Sequence, residues 1–158
     1  MSGEPVVAAE LEQARYIVYR VGSESFATPL LSVKEIVDPL PYCFVPNDHS
    51  WFLGLANLRG QIIGVIDLGL RFGRPSSVAS DPGVLLIFEG EGTSLGALVS
   101  AVESAITVDP GEIREDQPVA SSIPEEGYRG VIWHEDRILP IVSLFDLLHE
   151  TSREPGVT

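Results

Sequence analysis

The chain has 158 residues, 44% of them hydrophobic, enough for one domain with a buried core or two small units packed on each other. Ten basic residues against 23 acidic ones give a formal charge of −13, which argues against a nucleic-acid backbone or an anionic membrane surface as partner. The single cysteine, Cys43, excludes an intrachain disulfide and a cysteine metal cluster and fits a reducing compartment, with the cytoplasm as default.

Abundant Val, Ile, Gly and Pro, with turn signals at short intervals, predict a mostly β fold of short strands, in which a sandwich and a barrel both qualify. Residues 1–14 read as a flexible segment or, over Ala8–Ala14, a short helix. No secretory leader is read there, and no apolar run approaches the ~20 residues that span a bilayer, so neither export nor direct insertion into a membrane is expected. Tyr16–Val21 and Phe26–Thr28 flank a turn at Gly22–Ser25 and form a hairpin that Pro29 ends.

The spacing of Leu30, Leu31, Val33, Ile36 and Val37 predicts one or two turns of amphipathic helix that stop before Pro39, with Lys34 and Glu35 outward. Pro39, Pro41 and Pro46 make Tyr42–Val45 an extended edge. Asn47, Asp48 and Ser50 predict the cap of a short helix carrying Trp51, Phe52 and Leu53. In Gly54–Gly73, apolar runs on either side of Asn57-Leu58-Arg59-Gly60 predict a hairpin, followed by a short helix over Asp67–Phe72 with Asp67 as its cap and Gly73 as its stop. Arg74–Gly83 is rich in Pro, Ser and Gly and reads as a surface connection between two halves.

Val84–Glu89 and Leu95–Val102 predict the next hairpin, Ser104–Val108 a further strand, and Asp109–Tyr128 mostly loop. Val131–His134 and Ile138–Val142 flank Glu135-Asp136-Arg137, Leu144–Leu148 predicts a short helix, and residues 150–158 read as a tail. Laid without a gap on Gly130–His149, the stretch Gly54–Gly73 pairs Leu55 with Val131, Ile62 with Ile138, Ile63 with Leu139, Val65 with Ile141, Ile66 with Val142 and Leu68 with Leu144. Two copies of strand, charged turn, strand and helix predict two similar small units, each too small for a large core of its own and so packed on the other. Asn57 and Arg59 occur in one copy alone and are therefore expected to carry function, while the shared aliphatics carry the framework.

His49, His134 and His149 have no helical i, i+4 partner and no neighbouring cysteine, so no metal site is expected. No strained nucleophile turn and no Gly-rich phosphate loop of the Walker type is present, so neither catalysis nor a cofactor is expected and a small hydrolase stays a distant alternative. A chain with many aliphatics and no chemical centre reads as a binding module. Glu35 and Arg59 are opposite charges in neighbouring segments and are expected to pair, holding the Leu30–Val37 element against the hairpin tip.

Tyr16-Ile-Val-Tyr-Arg-Val-Gly22 before Glu24 and Phe26, Val33-Lys-Glu-Ile36, Gly54-Leu-Ala-Asn-Leu-Arg-Gly60 followed by Ile62–Leu68, Gly96-Ala-Leu-Val99 before Val102, and Asp136-Arg-Ile-Leu139 with Ile141 together resemble the CheW-like chemotaxis coupling (adaptor) proteins. The resemblance implies two packed SH3-like five-stranded β-barrels in one domain over residues 15–149. These would be subdomains of about 15–75 and 83–149, with exchange of strands between them allowed for. It implies a non-enzymatic scaffold without cofactor, cytoplasmic and recruited to membrane-associated receptor arrays, which couples the cytoplasmic domain of a methyl-accepting type chemoreceptor to the regulatory domain of a histidine kinase. Carried onto matching positions, Val33, Glu35, Ile36, Asn57 and Arg59 are expected at, or supporting, a receptor-facing groove. Gly64 stands where the family often has Pro, and Ser100 where it often has Asp. These departures leave room for an SH3-like binding or assembly module in a parallel motility or other signalling pathway.

Overall fold

The run Tyr16-Ile-Val-Tyr19 has no polar alternation, and in the computed structural model, which describes residues 14–90, 92–115 and 123–147, all four side chains are buried. A strand with no polar face has to be covered on both sides. Strand β1 (Ala14–Val21) meets this requirement by sending Ile17 and Tyr19 into one core and Tyr16 and Val18 into another. Strand β7 (Val84–Gly90) does the same, with Leu86 and Phe88 on one side and Leu85 and Ile87 on the other.

The remaining strands are β2 (Glu24–Pro29), β3 (Glu35–Val37), β4 (Tyr42–Cys43), β5 (Phe52–Leu58), β6 (Gln61–Asp67), β8 (Thr93–Val99), β9 (Ala101–Val108), β10 (Ile113–Arg114), β11 (Tyr128–His134) and β12 (Arg137–Val142). They form two sheets of six, β9-β1-β2-β12-β11-β10 and β3-β7-β8-β6-β5-β4, one strand more in each than the resemblance implies. A central core drawn from both sheets lies between them, and each sheet also encloses a core of its own. Among the described residues no helix is long and apolar enough to cross a membrane.

Written in that order, the two sheets correspond strand for strand. Each has one parallel pair, β6 with β8 and β12 with β2, at the same place in an otherwise antiparallel order. The register of β5 on β6 (Leu55↔Gly64, Asn57↔Ile62, Leu58↔Gln61) is that of β11 on β12 (Val131↔Pro140, Trp133↔Ile138, His134↔Arg137), which is the alignment read from the sequence. The turns agree as well: Arg59 and Gly60 have positive φ in one, Glu135 and Asp136 in the other. Both copies bulge at their glycine, Gly54 or Gly130, where a Cβ would fall 2.0 Å from the Cys43 carbonyl oxygen or 2.7 Å from that of Arg114. Each copy ends in a short helix, α1 (Leu68–Arg71) or the helical turn at residues 144–147.

The units are nevertheless not consecutive along the chain. One sheet is continuous from β3 to β8, while the other joins β1 and β2 to β9–β12. The division at 15–75 and 83–149 therefore does not follow the sheets, and Arg74–Gly83 lies within one of them, between β6 and β7. Each repeat leaves a strand edge that a hairpin must complete, β7–β8 in one case and β1–β2, from the opposite end of the described chain, in the other.

The hairpins β1–β2, β5–β6, β7–β8 and β11–β12 lie where the sequence predicts, and Asp67 caps α1 by accepting from the Leu70 amide at 3.2 Å. Two expected helices are absent. A 3₁₀ turn at Leu30–Ser32 gives way to β3, because the Lys34 amide reaches the Ile87 carbonyl at 2.7 Å and β-branched Ile36 and Val37 fit a strand beside β7. Phe52 opens β5 instead of sitting in a helix, and Asn47 accepts from the His49 amide at 2.7 Å in a local turn. Strand β9 begins at Ala101, three residues before the expected Ser104. The expected N-terminal segment and tail lie outside the described residues, except Ala14, which opens β1.

The Tyr19 hydroxyl and Thr28 Oγ1 lie 2.9 Å apart in the interior, and Thr28 Oγ1 donates to the Val142 carbonyl at 2.9 Å. A hydroxyl has one proton, so Tyr19 donates to Thr28, and this buried relay fastens β1 and β2 to the last strand. Burial pushes the Tyr19 phenol well above its ordinary range.

Two stability predictions follow from these positions. Gly54→Ala should lower the free energy of unfolding by more than ~1 kcal/mol, and Gly130→Ala by less than Gly54→Ala, as read from urea denaturation. An unfolded tyrosine ionises near pH ~10 whereas folded Tyr19 stays protonated, so its contribution is whole below that pH and is lost as pH rises above it. Thermal melts between about pH 9 and 11 should therefore show a smaller loss for Tyr19→Phe than for the unaltered chain.

Candidate partner-binding site

Residues directly opposite in an antiparallel pair share a face. Glu35, opposite Ile87, lies on the face that encloses the core of its own sheet, and Ile36, opposite Leu86, lies on the face turned to the central core. Arg59 occupies the tip of the β5–β6 turn with φ 51°. Two strands separate β3 from β6, a span of about 14 Å in a flat sheet. The Arg59 guanidinium nevertheless donates to the Glu35 carboxylate, so the sheet curls until its edge meets its own hairpin tip. The expected pair is present, joining the tip to β3 rather than to a helix.

The Arg59 side chain is 64% exposed and that of Glu35 29%, so the pair is open to solvent on the arginine side. Beside it, Lys34 donates to Glu89 at 2.7 Å, Gln61 donates to Ser94 at 3.0 Å, and Ser94 lies 3.4 Å from Glu89. This polar chain crosses β7, β8 and β6 and closes the end of the sheet's core. The hydrogen bond from Lys34, with its charge, holds the Glu89 carboxyl below the usual carboxylate range.

Asn57 is exposed, but its Oδ1 accepts from the Gly60 amide at 2.8 Å, so its side chain closes the turn that presents Arg59. Val33 is half-buried and packs against the central core beside Leu30. Ile36 is exposed at the edge of the sheet. The structure thus brings Glu35 and Arg59 into contact, places Asn57 behind Arg59, and uses Val33 as support. Ile62 and Leu55, both exposed, share the outer face of the hairpin with Asn57, and sequence reasoning placed them in the framework. The signal for Ile62 was its place opposite Asn57, beyond the end of the central core that Ile66 enters on the same face.

The edge-to-tip pair is not unique to the first copy. In the other sheet, Glu103 of edge strand β9 pairs with Arg137 at the β11–β12 tip at 3.2 Å, again across two intervening strands. Glu103 also accepts from Ser25 at 2.6 Å, and that bond, with Arg137, holds its carboxyl below the usual range. The interaction is therefore present in both copies, shifted from the turn residue Arg59 to the strand residue Arg137. What distinguishes the first copy is the position of its guanidinium on the turn itself.

Residues 15–150 match the model of the CheW-like domain. The chain is 28% identical over 138 residues to a probable chemotaxis protein CheW of Rhizobium etli, covering 87% of this chain and 89% of that one. It is 27% identical over 139 residues to the chemotaxis protein CheW of Helicobacter pylori, with coverage of 87% and 82%. The crystal structure of the scaffolding protein TtCheW from Thermoanaerobacter tengcongensis superposes with a TM-score of 0.77 at 29% identity, covering 85% of this chain and 92% of that one. With the sheet order, the duplicated hairpins and the Asn57-Leu58-Arg59-Gly60 turn already in place, this match over most of the length settles the kinship: the chain belongs to the CheW-like domain family.

Proposed function

We propose that the chain is a coupling adaptor of chemotaxis-type signalling, which joins the cytoplasmic domain of a methyl-accepting type chemoreceptor to the regulatory domain of a histidine kinase without catalysing a reaction itself. It works in the cytoplasm and is drawn to receptor arrays by its partners. Family membership supports the adaptor role. The observation that carries the location of the site is the solvent-open Glu35–Arg59 pair, bracketed by exposed Ile36 on one strand and exposed Ile62 on another.

Such a surface suits recognition. The pair fixes the direction of a guanidinium that would otherwise sample many rotamers, and the aliphatics supply apolar area around it. Its own contribution to folding is small, about 0.2–1 kcal/mol for an exposed pair. The value of the pair thus lies in orientation, with Arg59 as the contact residue, Glu35 and Asn57 as its positioning residues, Ile36 as apolar contact and Val33 as support from beneath.

Arg59→Ala should weaken binding of the receptor cytoplasmic fragment about tenfold in a titration, equivalent to ~1.4 kcal/mol, while the free energy of unfolding changes by less than ~1 kcal/mol. Asn57→Ala, which frees the turn, should weaken the same complex by a smaller factor. Unchanged affinity in both variants would remove the site. Failure of the unaltered chain to bind either a receptor fragment or the kinase regulatory domain would remove the adaptor reading altogether.

A further inference from the structure

The duplicated fold places a second hairpin tip where the first carries Arg59, and that tip has a different surface. At the positions of Asn57 and Ile62 it carries Trp133 and Ile138, directly opposite each other on adjacent strands. Trp133 is 46% exposed and Ile138 54% exposed. They share a face with Val131, Pro140 and Val142, which are buried, so the apolar row runs from the interior out onto the surface. A tryptophan left half open beside an aliphatic on a rigid sheet is the usual form of an interface anchor.

Charge separates the two tips. The first is balanced, with Glu35 and Glu89 paired to Arg59 and Lys34. Around the second, Glu103, Glu112, Glu135 and Asp136 stand against Arg114 and Arg137, while Arg20, whose charge also reaches Glu103, is itself paired with Asp81. Of these, Arg137 is held by Glu103, and Arg114 of β10 is turned back on the Gly111 carbonyl at 2.5 Å. His134 lies 3.3 Å from Glu112 and 3.7 Å from Glu135, whose side chain is 84% exposed. An apolar row set among surplus carboxylates complements an apolar side chain ringed by Lys and Arg.

We propose that Trp133 and Ile138 form a second docking surface, which takes a protein partner presenting an aliphatic or aromatic residue flanked by basic side chains. The inference rests on the adaptor reading, since an adaptor must hold two partners at once, and it divides them between the tips: a charge-balanced one at Arg59 and an acidic one at Trp133. The partner at the second tip binds with a stronger salt dependence than the partner at the first, because the surplus carboxylates are exposed and are screened within about 8–10 Å at ordinary ionic strength.

The test uses the full chain, with the receptor cytoplasmic fragment and the kinase regulatory domain titrated separately at low and high salt. The double variant Trp133→Ala/Ile138→Ala should lose at least tenfold in affinity for one partner and keep the partner that Arg59→Ala loses. Glu135→Lys, a change on an exposed turn, should weaken that same complex severalfold at low salt and less at high salt. Unaltered affinity of the double variant for both partners, or a loss confined to the partner that Arg59→Ala loses, would overturn the second surface and leave the adaptor reading standing. Failure of the unaltered chain to bind either partner would overturn both.

Discussion

The central apolar layer is the constraint on which the rest of the structure depends. Each sheet has a core of its own, yet Ile17, Tyr19, Phe26, Leu86, Phe88, Ala97 and Val99 face outward from those cores and are buried only because the two sheets meet. Apolar burial is worth about 25 cal/mol per Å², and units of this size gain only marginal stability from their own interiors. The two hairpins that supply most of the layer, β1–β2 and β7–β8, are therefore also the ones that complete the sheets. One requirement thus fixes the continuous apolar runs in the sequence, the meeting of the first and last described strands in one sheet, and the relative placement of the hairpin tips.

The tips are where the duplicated frame is free to differ. Within the layer, exchange is limited by packing: Ile66 and Val142 occupy equivalent places in the same core. Beyond its end the equivalent pairs are Asn57 with Ile62 and Trp133 with Ile138, which share backbone register and an exposed isoleucine but set a tryptophan where the first copy has an asparagine. In both sheets a glutamate on the edge strand grips an arginine at the tip, so the curl is kept while the exposed chemistry changes. A frame that holds two rigid and chemically distinct tips suits a protein that joins partners.

Legibility in the sequence followed the range of the interaction. The β5–β6 hairpin, the cap at Asp67 and the repeat could be read because they depend on neighbours within a few residues: a turn that needs positive φ, an acid next to free amides, a period of two. The Leu30–Val37 segment was misread as a helix because its apolar spacing suits either conformation, and the deciding contact, from Lys34 to Ile87, is distant in sequence. At the site, the opposite charges of Glu35 and Arg59 were visible, whereas their counterpart was not. Arg137 aligns with Gln61 and Glu103 lies in a segment outside the repeat, so only the curl of the sheet brings them together.

By itself the sequence determined the main hairpins and the kinship: where the four tight turns fall, which residues recur, and the family to which these patterns belong. Backbone sterics and side-chain period act over a few residues and are written directly in the order of the chain. Only the tertiary structure decided which hairpin completes which sheet, that residues 35–37 form an edge strand, and that Trp133 and Ile138 stand open while Val131 and Val142 are buried. Those outcomes depend on where the central layer ends, a property of two sheets packed together that no single stretch of sequence contains.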